Sequence, residues 1–258
     1  MSEAVRRLDG NARRVAGEYG RTVVHSNELL RHSVYTRVVH WTSAALFILA
    51  LLSGFAVYTP WMFHVLSPLF GGGAMTRLLH PWFGILFCVA FTFQIFNWLA
   101  DMTWTADDSR WVKRIREYVT NAESVEPDYV GFFNAGQKAY FWTIVVSIVL
   151  FLITGIPMWF PTTFGRTLVV ISAVVHDITA LVMLVGFVVH IYEGTAQQPG
   201  TFRSMTRGTV EKRWARTHHP AWYRRATGGG NSSTSQPPTS QLPTPNERPT
   251  PQRPKPSS

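Results

Sequence analysis

The sequence has little cysteine and little charge. It contains one cysteine, Cys88, and only 15% of its 258 residues are charged, well below the roughly 25% of a soluble domain. A lone thiol cannot form an intrachain disulfide, a cysteine-based zinc site, an iron–sulfur cluster or a CxxCH haem attachment. We therefore expect any metal to be held by His, Asp or Glu, and Cys88 to be a small buried side chain.

Long apolar stretches take the place of charge: 46% of the residues are hydrophobic and 14% are aromatic. Four runs of 18, 19, 22 and 25 residues hold a single acid, Asp177. These runs are residues 41–58, 81–99, 139–160 and 168–192. Because an apolar run of about 18 or more residues is long enough to span a bilayer, the sequence excludes a soluble globular enzyme. It predicts an all-α integral membrane protein, an up-down bundle of four transmembrane helices.

The ends of the chain differ from its middle. We predict a polar N-terminal segment over residues 1–32, a transmembrane domain over 33–195, a basic segment over 196–225 and a tail over 226–258. The tail is rich in Pro, Ser and Thr and cannot bury enough apolar surface to offset its ordering entropy. It is therefore predicted to be disordered.

The basic residues predict the orientation. Of the 24 Lys and Arg, 22 lie before the first run, between the second and third runs, or after the fourth. Four spans put these regions on one side, and an excess of Lys and Arg marks the cytoplasmic side. We expect both termini to be cytoplasmic. The net charge of +9 then reflects topology and attraction to anionic lipid headgroups, so nucleic acid is not a predicted partner.

Four histidines fall at span positions, where ionisable side chains are costly and mark function. They are His40, His80, His176 and His190. His176 and His190 are 14 residues apart, which puts them on roughly one face of the fourth helix, about 21 Å apart along its axis. The span directions place His40 and His190 near the cytoplasmic face, as an inner pair. The same directions place His80 and His176 toward the outer face, as an outer pair.

Two bis-histidine pairs stacked in a bundle match the needs of two six-coordinate haems. Arg37 and Arg77 each precede a histidine by three residues, one helical turn nearer water, and are candidates to bind haem propionates. Ordinary interfacial arginines are the alternative. A proton relay or metal-ion transporter is less favoured, because such proteins usually carry carboxylates within their spans.

Five segments of the chain are familiar as a set: VYTRVVHWTSAALFILALLSG, HPWFGILF, FNAGQKAYFW, TGIPMWF and VVHDITALVMLVGFVVHIYEG. In this order, across about residues 33–195, they resemble the membrane cytochrome b (gamma) subunit of respiratory formate dehydrogenases. The resemblance implies a bundle in the bacterial inner membrane that holds two haem b groups on the four histidines. It implies an iron–sulfur subunit and a molybdenum- or tungsten-containing catalytic subunit as partners. The chain itself would not act on formate but would pass electrons from the iron–sulfur subunit through the haems to a quinone.

The resemblance also implies a quinone site beside the inner haem, at the start of the third span. The residues it points to are Asn134, Gly136, Gln137 and Lys138. Amide and ammonium donors at the membrane interface suit quinone oxygens. The alternative is that Asn134 caps the helix and that Lys138 extends toward the headgroups.

Two other functions stay open. A cytochrome b subunit of a hydrogenase or thiosulfate reductase would have the same bundle chemistry and differ only in its docked partner. A haem-free transporter or scaffold is the alternative from a different class. The remaining histidines are not predicted to be ligands; they are His25, His32, His64, His218 and His219.

Overall fold

The computed structural model describes residues 23–25, 27–120 and 126–228. Four long helices dominate it: α1 (Val34–Tyr58), α3 (Gly73–Trp98), α6 (Ala135–Trp159) and α8 (Arg166–Tyr192). Each is long and apolar enough to cross a membrane, which confirms the predicted four-helix fold. Residues 229–258, most of the predicted disordered tail, and residues 1–22 of the N-terminal segment lie outside the described residues.

Shorter elements connect and follow the long helices. The helices are α2 (Pro60–Leu66), α4 (Ala106–Val112), α5 (Ile115–Thr120), α7 (Pro161–Phe164), α9 (Thr201–Thr206), α10 (Lys212–His218) and α11 (Pro220–Ala226). A 3₁₀ turn spans Ser67–Phe70, and a π-helical turn, Glu193–Gln197, extends α8. The strands are β1 (Val23–His25), β2 (Glu28–Leu30) and β3 (Thr209–Glu211).

Hydrogen-bonding caps start two of the long helices before their apolar runs begin. The hydroxyl of Ser33 accepts from the backbone N–H of Thr36 at 3.0 Å, so α1 gains a polar first turn. At α6, the side chains of Asn134 and Gln137 each accept from the other's backbone N–H, which forms a capping box. The caps satisfy backbone donors that the helix geometry leaves unpaired.

The long helices pack as two antiparallel pairs with constant registers. In α1 and α3, Asn97 donates to Thr36 (3.1 Å) and Ser53 bonds His80 (3.0 Å). The two contacts are 17 residues apart on either helix, so the register does not change between them. In α6 and α8, Thr154 bonds His176 (3.0 Å) and the ring of Tyr140 stacks on that of His190, contacts that are 14 residues apart on both helices. Residues on neighbouring helices can therefore be placed at a common level.

Polar segments from outside the long helices form a layer that covers one end of the bundle. Its antiparallel sheet has the order β1-β2-β3, with Leu29 opposite Val210. Leu29 and Val210 are fully buried with Trp214 and Trp222. We call residues 23–25, 27–32, 126–134 and 201–226 the end layer.

The end layer brings together segments that the sequence treats as separate. The backbone N–H of Glu126 donates to Thr217 O at 3.0 Å, and Arg224 donates to Asp128 O at 2.7 Å. The N-terminal segment, the second connection and the C-terminal segment therefore share one end of the bundle. That this end is cytoplasmic stays a prediction.

A buried arginine without a carboxylate partner among the described residues organises the end layer. Arg31 is 5% exposed and donates through Nη2 to Phe132 O (2.7 Å) and to His219 Nε2 (3.0 Å). His219 donates through Nδ1 to Gly131 O, which leaves its Nε2 free to accept. The guanidinium lies 4.5–5.0 Å from three ring centres, those of Phe132, Trp214 and Trp222. Burial lowers the pKa of Arg31 to about 9, and cation–π contacts partly replace water around its charge.

Candidate haem sites

The structure brings the four span histidines together as two pairs. The ring centres of His40 and His190 are 6.1 Å apart, and those of His80 and His176 are 6.3 Å apart. His40, His80 and His176 are half-buried, and His190 is exposed. The partners are those expected from span depth: α1 with α8 in the inner pair, and α3 with α8 in the outer pair.

Both separations suit one six-coordinate metal between two imidazoles. Metal–imidazole bonds of about 2 Å put the two nitrogens about 4 Å apart and the ring centres, each about 1 Å further back, about 6 Å apart. Over the part of the chain that the structure describes, no three His, Cys, Asp or Glu side chains converge as a ligand set. A macrocycle that supplies four nitrogens would complete each site, so haem fits these pairs better than a bare ion does.

In the outer pair, a hydroxyl orients each imidazole. Ser53 and Thr154 donate to the carbonyls of Leu49 (2.7 Å) and Leu150 (2.6 Å), four residues earlier on their own helices. Each hydroxyl oxygen is then free to accept the Nδ1 proton of its histidine, His80 or His176, at 3.0 Å. This arrangement places the proton on Nδ1 and the lone pair on Nε2, the tautomer that a metal requires.

Glycines allow the helices to approach the outer pair. A Cβ atom at Gly54 would lie 3.1 Å from Cε1 of His80, and one at Gly155 would lie 3.9 Å from Cε1 of His176. The first distance is tighter than ordinary van der Waals contact. Gly54 is therefore needed for the position of His80.

The inner pair is supported by aromatic contacts. The ring of Tyr140 stacks on His190 with centres 5.1 Å apart and planes at 20°, and Trp41 meets His40 edge-on at 5.3 Å. A Cβ atom at Gly186 would come within 2.9 Å of Tyr140 Cε2, so the stack depends on this glycine. Among the described residues, Nδ1 of His40 is buried without a hydrogen-bond partner.

The two candidate propionate ligands have different surroundings. Arg37 donates through Nη1 to Thr206 O at 2.7 Å, and the indole of Trp41 donates to Met205 O at 3.0 Å. These two hydrogen bonds join α1 to the end layer. Arg77 is exposed one turn before His80. Their binding of propionates stays a prediction.

The four candidate quinone residues lie together at the start of α6, against the end layer. The side chain of Asn134 caps the helix and also donates through Nδ2 to Glu126 Oε1 at 3.2 Å. Lys138 is buried and donates to Asp108 Oδ2 (2.8 Å) and Thr103 O (3.0 Å). Gln137 completes the capping box of α6. These polar atoms are thus engaged within the chain, and their contact with a quinone stays a prediction.

Sequence reasoning missed the residues that hold this cluster. Glu126 is buried and accepts from the indole of Trp111 at 2.7 Å as well as from Asn134. Trp111 packs on Gly136, where a Cβ atom would lie 3.4 Å from its ring. Burial raises the pKa of Glu126 above its usual range, although these two hydrogen bonds act in the opposite direction. Neither residue carries a periodic signal, because Trp111 lies in the seven-residue helix α4 and Glu126 in the irregular stretch before α6, both within the polar second connection.

Comparison with known proteins gives a consistent set of relatives. The family model described as prokaryotic cytochrome b561 matches residues 31–208. The formate dehydrogenase cytochrome b556(fdo) subunit of Escherichia coli K12 is 33% identical over 199 residues, covering 76% of this chain and 92% of the relative. The nitrate-inducible formate dehydrogenase cytochrome b556(Fdn) subunit of the same strain is 33% identical over 202 residues, covering 77% and 92%. The formate dehydrogenase cytochrome b556 subunit of Haemophilus influenzae is 32% identical over 205 residues, covering 78% and 85%.

Proposed function

Since the chain belongs to the prokaryotic cytochrome b561 family and is a membrane cytochrome b subunit of the formate dehydrogenase type, we propose that it carries electrons through two b haems to a quinone. The proposed donor is an iron–sulfur subunit that serves a molybdenum- or tungsten-containing formate dehydrogenase. The proposed place is a bacterial inner membrane, with the end layer and both termini in the cytoplasm. The chain anchors its partner subunits to the membrane and conducts electrons, whereas formate is oxidised by the catalytic partner.

The observation that supports two haems is the repetition of one geometry at two depths. Ring centres lie 6.1 Å apart in the inner pair and 6.3 Å apart in the outer pair. His176 and His190 separate the two levels by about 21 Å along α8. A haem bound at each pair supplies a one-electron redox centre, and the stacking of the centres makes a path across the bilayer.

The chain's own residues set the conditions at each site. Ser53 and Thr154 hold the outer imidazoles in the metal-binding tautomer. Between the two levels the core is aromatic: the ring of Phe47 lies 5.2 Å from that of Phe187 and 5.5 Å from that of Phe87. Close packing of these rings leaves little room for water between the two levels.

A quinone beside the inner pair would need protons from the end-layer side. Lys138 with Asp108, and Glu126 with Asn134, place exchangeable protons at the start of α6. Burial raises the pKa of Glu126, so this carboxyl is a candidate to pass a proton inward. Asn134 and Gly136 would then contact the quinone itself.

A spectrum of the purified chain tests the cofactor proposal. We expect a b-type reduced-minus-oxidised signal with two haems per polypeptide. A haem-free protein would refute the proposal and favour the transporter or scaffold. The structure disfavours a transporter, because Asp177 is exposed and the four spans therefore have no interior carboxylate.

The partner is tested separately. Formate added to membranes should reduce the haems, and a mild-detergent preparation should contain a large molybdenum- or tungsten-binding subunit and an iron–sulfur subunit. Reduction by hydrogen or by a sulfur compound instead, with a different large subunit, would assign the same cytochrome to another oxidoreductase.

A further inference from the structure

Three side chains near the inner pair carry buried polar atoms that have no hydrogen-bond partner in the described part of the chain. They are both amide atoms of Gln94, the hydroxyl of Ser43 and Nδ1 of His40. Gln94 is only 2% exposed and Ser43 5%. Such groups are costly to bury unsatisfied, so a side chain retained this way in a bundle core calls for a physical reason.

The helix register places Gln94 at the level of His40. On α1 and α3, Thr36 is level with Asn97 and Ser53 with His80. Because the helices are antiparallel, three residues back from Asn97 on α3 match three residues forward from Thr36 on α1. Gln94 is therefore level with position 39. Gln94 and His40 are therefore about one residue, or about 1.5 Å, apart along the bundle axis. Ser43 lies one turn further on, on the face of α1 that carries His40.

The outer end of the same helix pair shows what a polar residue at this level can do. There Ser53 on α1 is level with His80 on α3 and accepts its Nδ1 proton at 3.0 Å. At the inner end the roles are exchanged, because the histidine is on α1 and the polar side chain is on α3. His40 is the histidine whose Nδ1 still requires an acceptor.

We propose that Gln94 is the positioning residue of the inner haem site. Once haem is bound, the amide oxygen of Gln94 accepts a hydrogen bond from the Nδ1–H of His40, directly or through one bound water. The amide N–H groups are then directed toward the Ser43 hydroxyl. The inference rests on the proposed function, since it assigns His40 as an axial ligand. Its physical consequence is a more electron-donating imidazole, which favours ferric iron and lowers the reduction potential of the inner haem.

The test is Gln94→Met in the full-length chain, studied in membranes. Methionine has a similar length and no hydrogen-bonding amide, so the packing is kept while the acceptor is removed. We expect about a tenfold shift of the inner haem toward the reduced form, which for one electron is about 59 mV upward. The outer haem should keep its potential, and one of the two low-spin ferric signals in the electron paramagnetic resonance spectrum should move.

A matched control is available on the same helix. Thr92 is exposed and donates to its own helix at Cys88 O (2.7 Å), so Thr92→Val removes a polar group at nearly the same level without facing the core. This variant should leave both potentials unchanged. Equal shifts in the two variants would overturn the assignment, as would an unchanged spectrum and potential in Gln94→Met.

Haem content separates the remaining outcomes. Selective loss of the inner haem in Gln94→Met would support the role of Gln94, whereas loss of both haems would refute it as a local effect. A wild-type chain without any b-type signal would instead refute the proposed function, before Gln94 is considered.

Discussion

The inner and outer histidine pairs have nearly the same ring separation but are supported by different means. The outer pair is oriented by two hydroxyls, Ser53 and Thr154, that belong to the spans themselves. The inner pair is supported by the stacked ring of Tyr140 and lies where α1 is tied to the end layer through Arg37. The outer site is thus defined within the bundle, whereas the inner site depends also on segments distant in sequence.

This difference matches what each site is proposed to do. A centre that only accepts and passes electrons benefits from rigid orientation, because fixed ligands reorganise little. A centre beside a quinone must also adjoin protonable groups. Glu126, Asp108 and Lys138 supply these on the end-layer side of the inner pair.

The largest effect should come from removing a ligand. His80→Ala should leave one haem per polypeptide, the inner one, and His40→Ala should leave the outer one, because each substitution removes an axial nitrogen from one site only. Pyridine haemochrome analysis and redox titration of the remaining centre would show this.

The matched control for the ligand variants is His64→Gln in α2, an exposed histidine that should leave both haems in place. If His80→Ala and His40→Ala each left two haems, the ligand assignment would be wrong.

The next effect should come from closing the space beside each pair. Gly186→Ala puts a methyl group 2.9 Å from the Tyr140 ring and should disturb the inner site, whereas Gly54→Ala puts one 3.1 Å from His80 and should disturb the outer site. Overpacking of this kind costs about 1–3 kcal/mol, which is about fivefold to 150-fold in haem affinity. Haem retention during detergent washing would measure it. Gly84→Ala, whose Cβ meets nothing within 4 Å, should retain both haems.

A smaller effect on the haem sites should follow from acidification, because it acts on the end layer and not on a ligand or its direct neighbours. It should reach the inner pair first. Burial lowers the pKa of His219 and His32 well below the usual range and that of His218 to about 4, with the charge of Arg31 adding to each shift. The folded end layer therefore binds fewer protons than the unfolded chain. Its stability is full above the unfolded pKa of about 6.5 and falls, by up to about 1.4 kcal/mol per pH unit for each histidine, as the pH drops toward 4.

Hydrogen exchange at pH 7 and pH 5 would test this difference. Amides of residues 126–134 and 201–226 should lose protection at pH 5, while the spans around the outer pair keep theirs. Equal loss of protection throughout the bundle would show that the end layer is not a separately acid-sensitive unit. The half-exposed site of His218 allows His218→Gln as a milder variant, which should reduce the pH dependence.

The spans and the pairing of the histidines could be predicted from sequence because both follow from short-range geometry. Apolar length gives the helices, and a 14-residue spacing puts His176 and His190 on one face. The distribution of Lys and Arg also predicted that the segments forming the end layer lie on the same side of the membrane. The end layer itself could not be predicted, because its strands have three residues each and its key contact joins Leu29 to Val210. No periodic pattern exists in so short a strand, and the pairing is long-range.

The supporting residues of the site were beyond sequence analysis for a related reason. Ser53, Thr154 and Gln94 are ordinary polar residues within apolar runs until the interhelical register is known. The capping of α6 by Asn134, in contrast, was one of two alternatives that the sequence offered, and the structure shows that cap. Contact of Asn134 with a quinone is compatible with the cap only if its Nδ2 leaves Glu126.

The smallest effect should come from removing the outer hydroxyls. Ser53→Ala and Thr154→Val delete the acceptors of His80 and His176 without removing a ligand, so the outer haem should stay bound. Loss of such a partner typically costs about tenfold in metal affinity and makes the imidazole a weaker donor, so the outer haem should become easier to reduce. Redox titration should show an upward shift in the reduction potential of the outer haem alone, and the shift should be largest in the double variant. Thr143→Val provides the baseline, because Thr143 is half-buried on α6 and its hydroxyl donates to its own helix at Ala139 O. An equal shift of the inner haem would mean that the two sites are not independently supported, and the contrast between them would then lie in their surroundings rather than in their ligands.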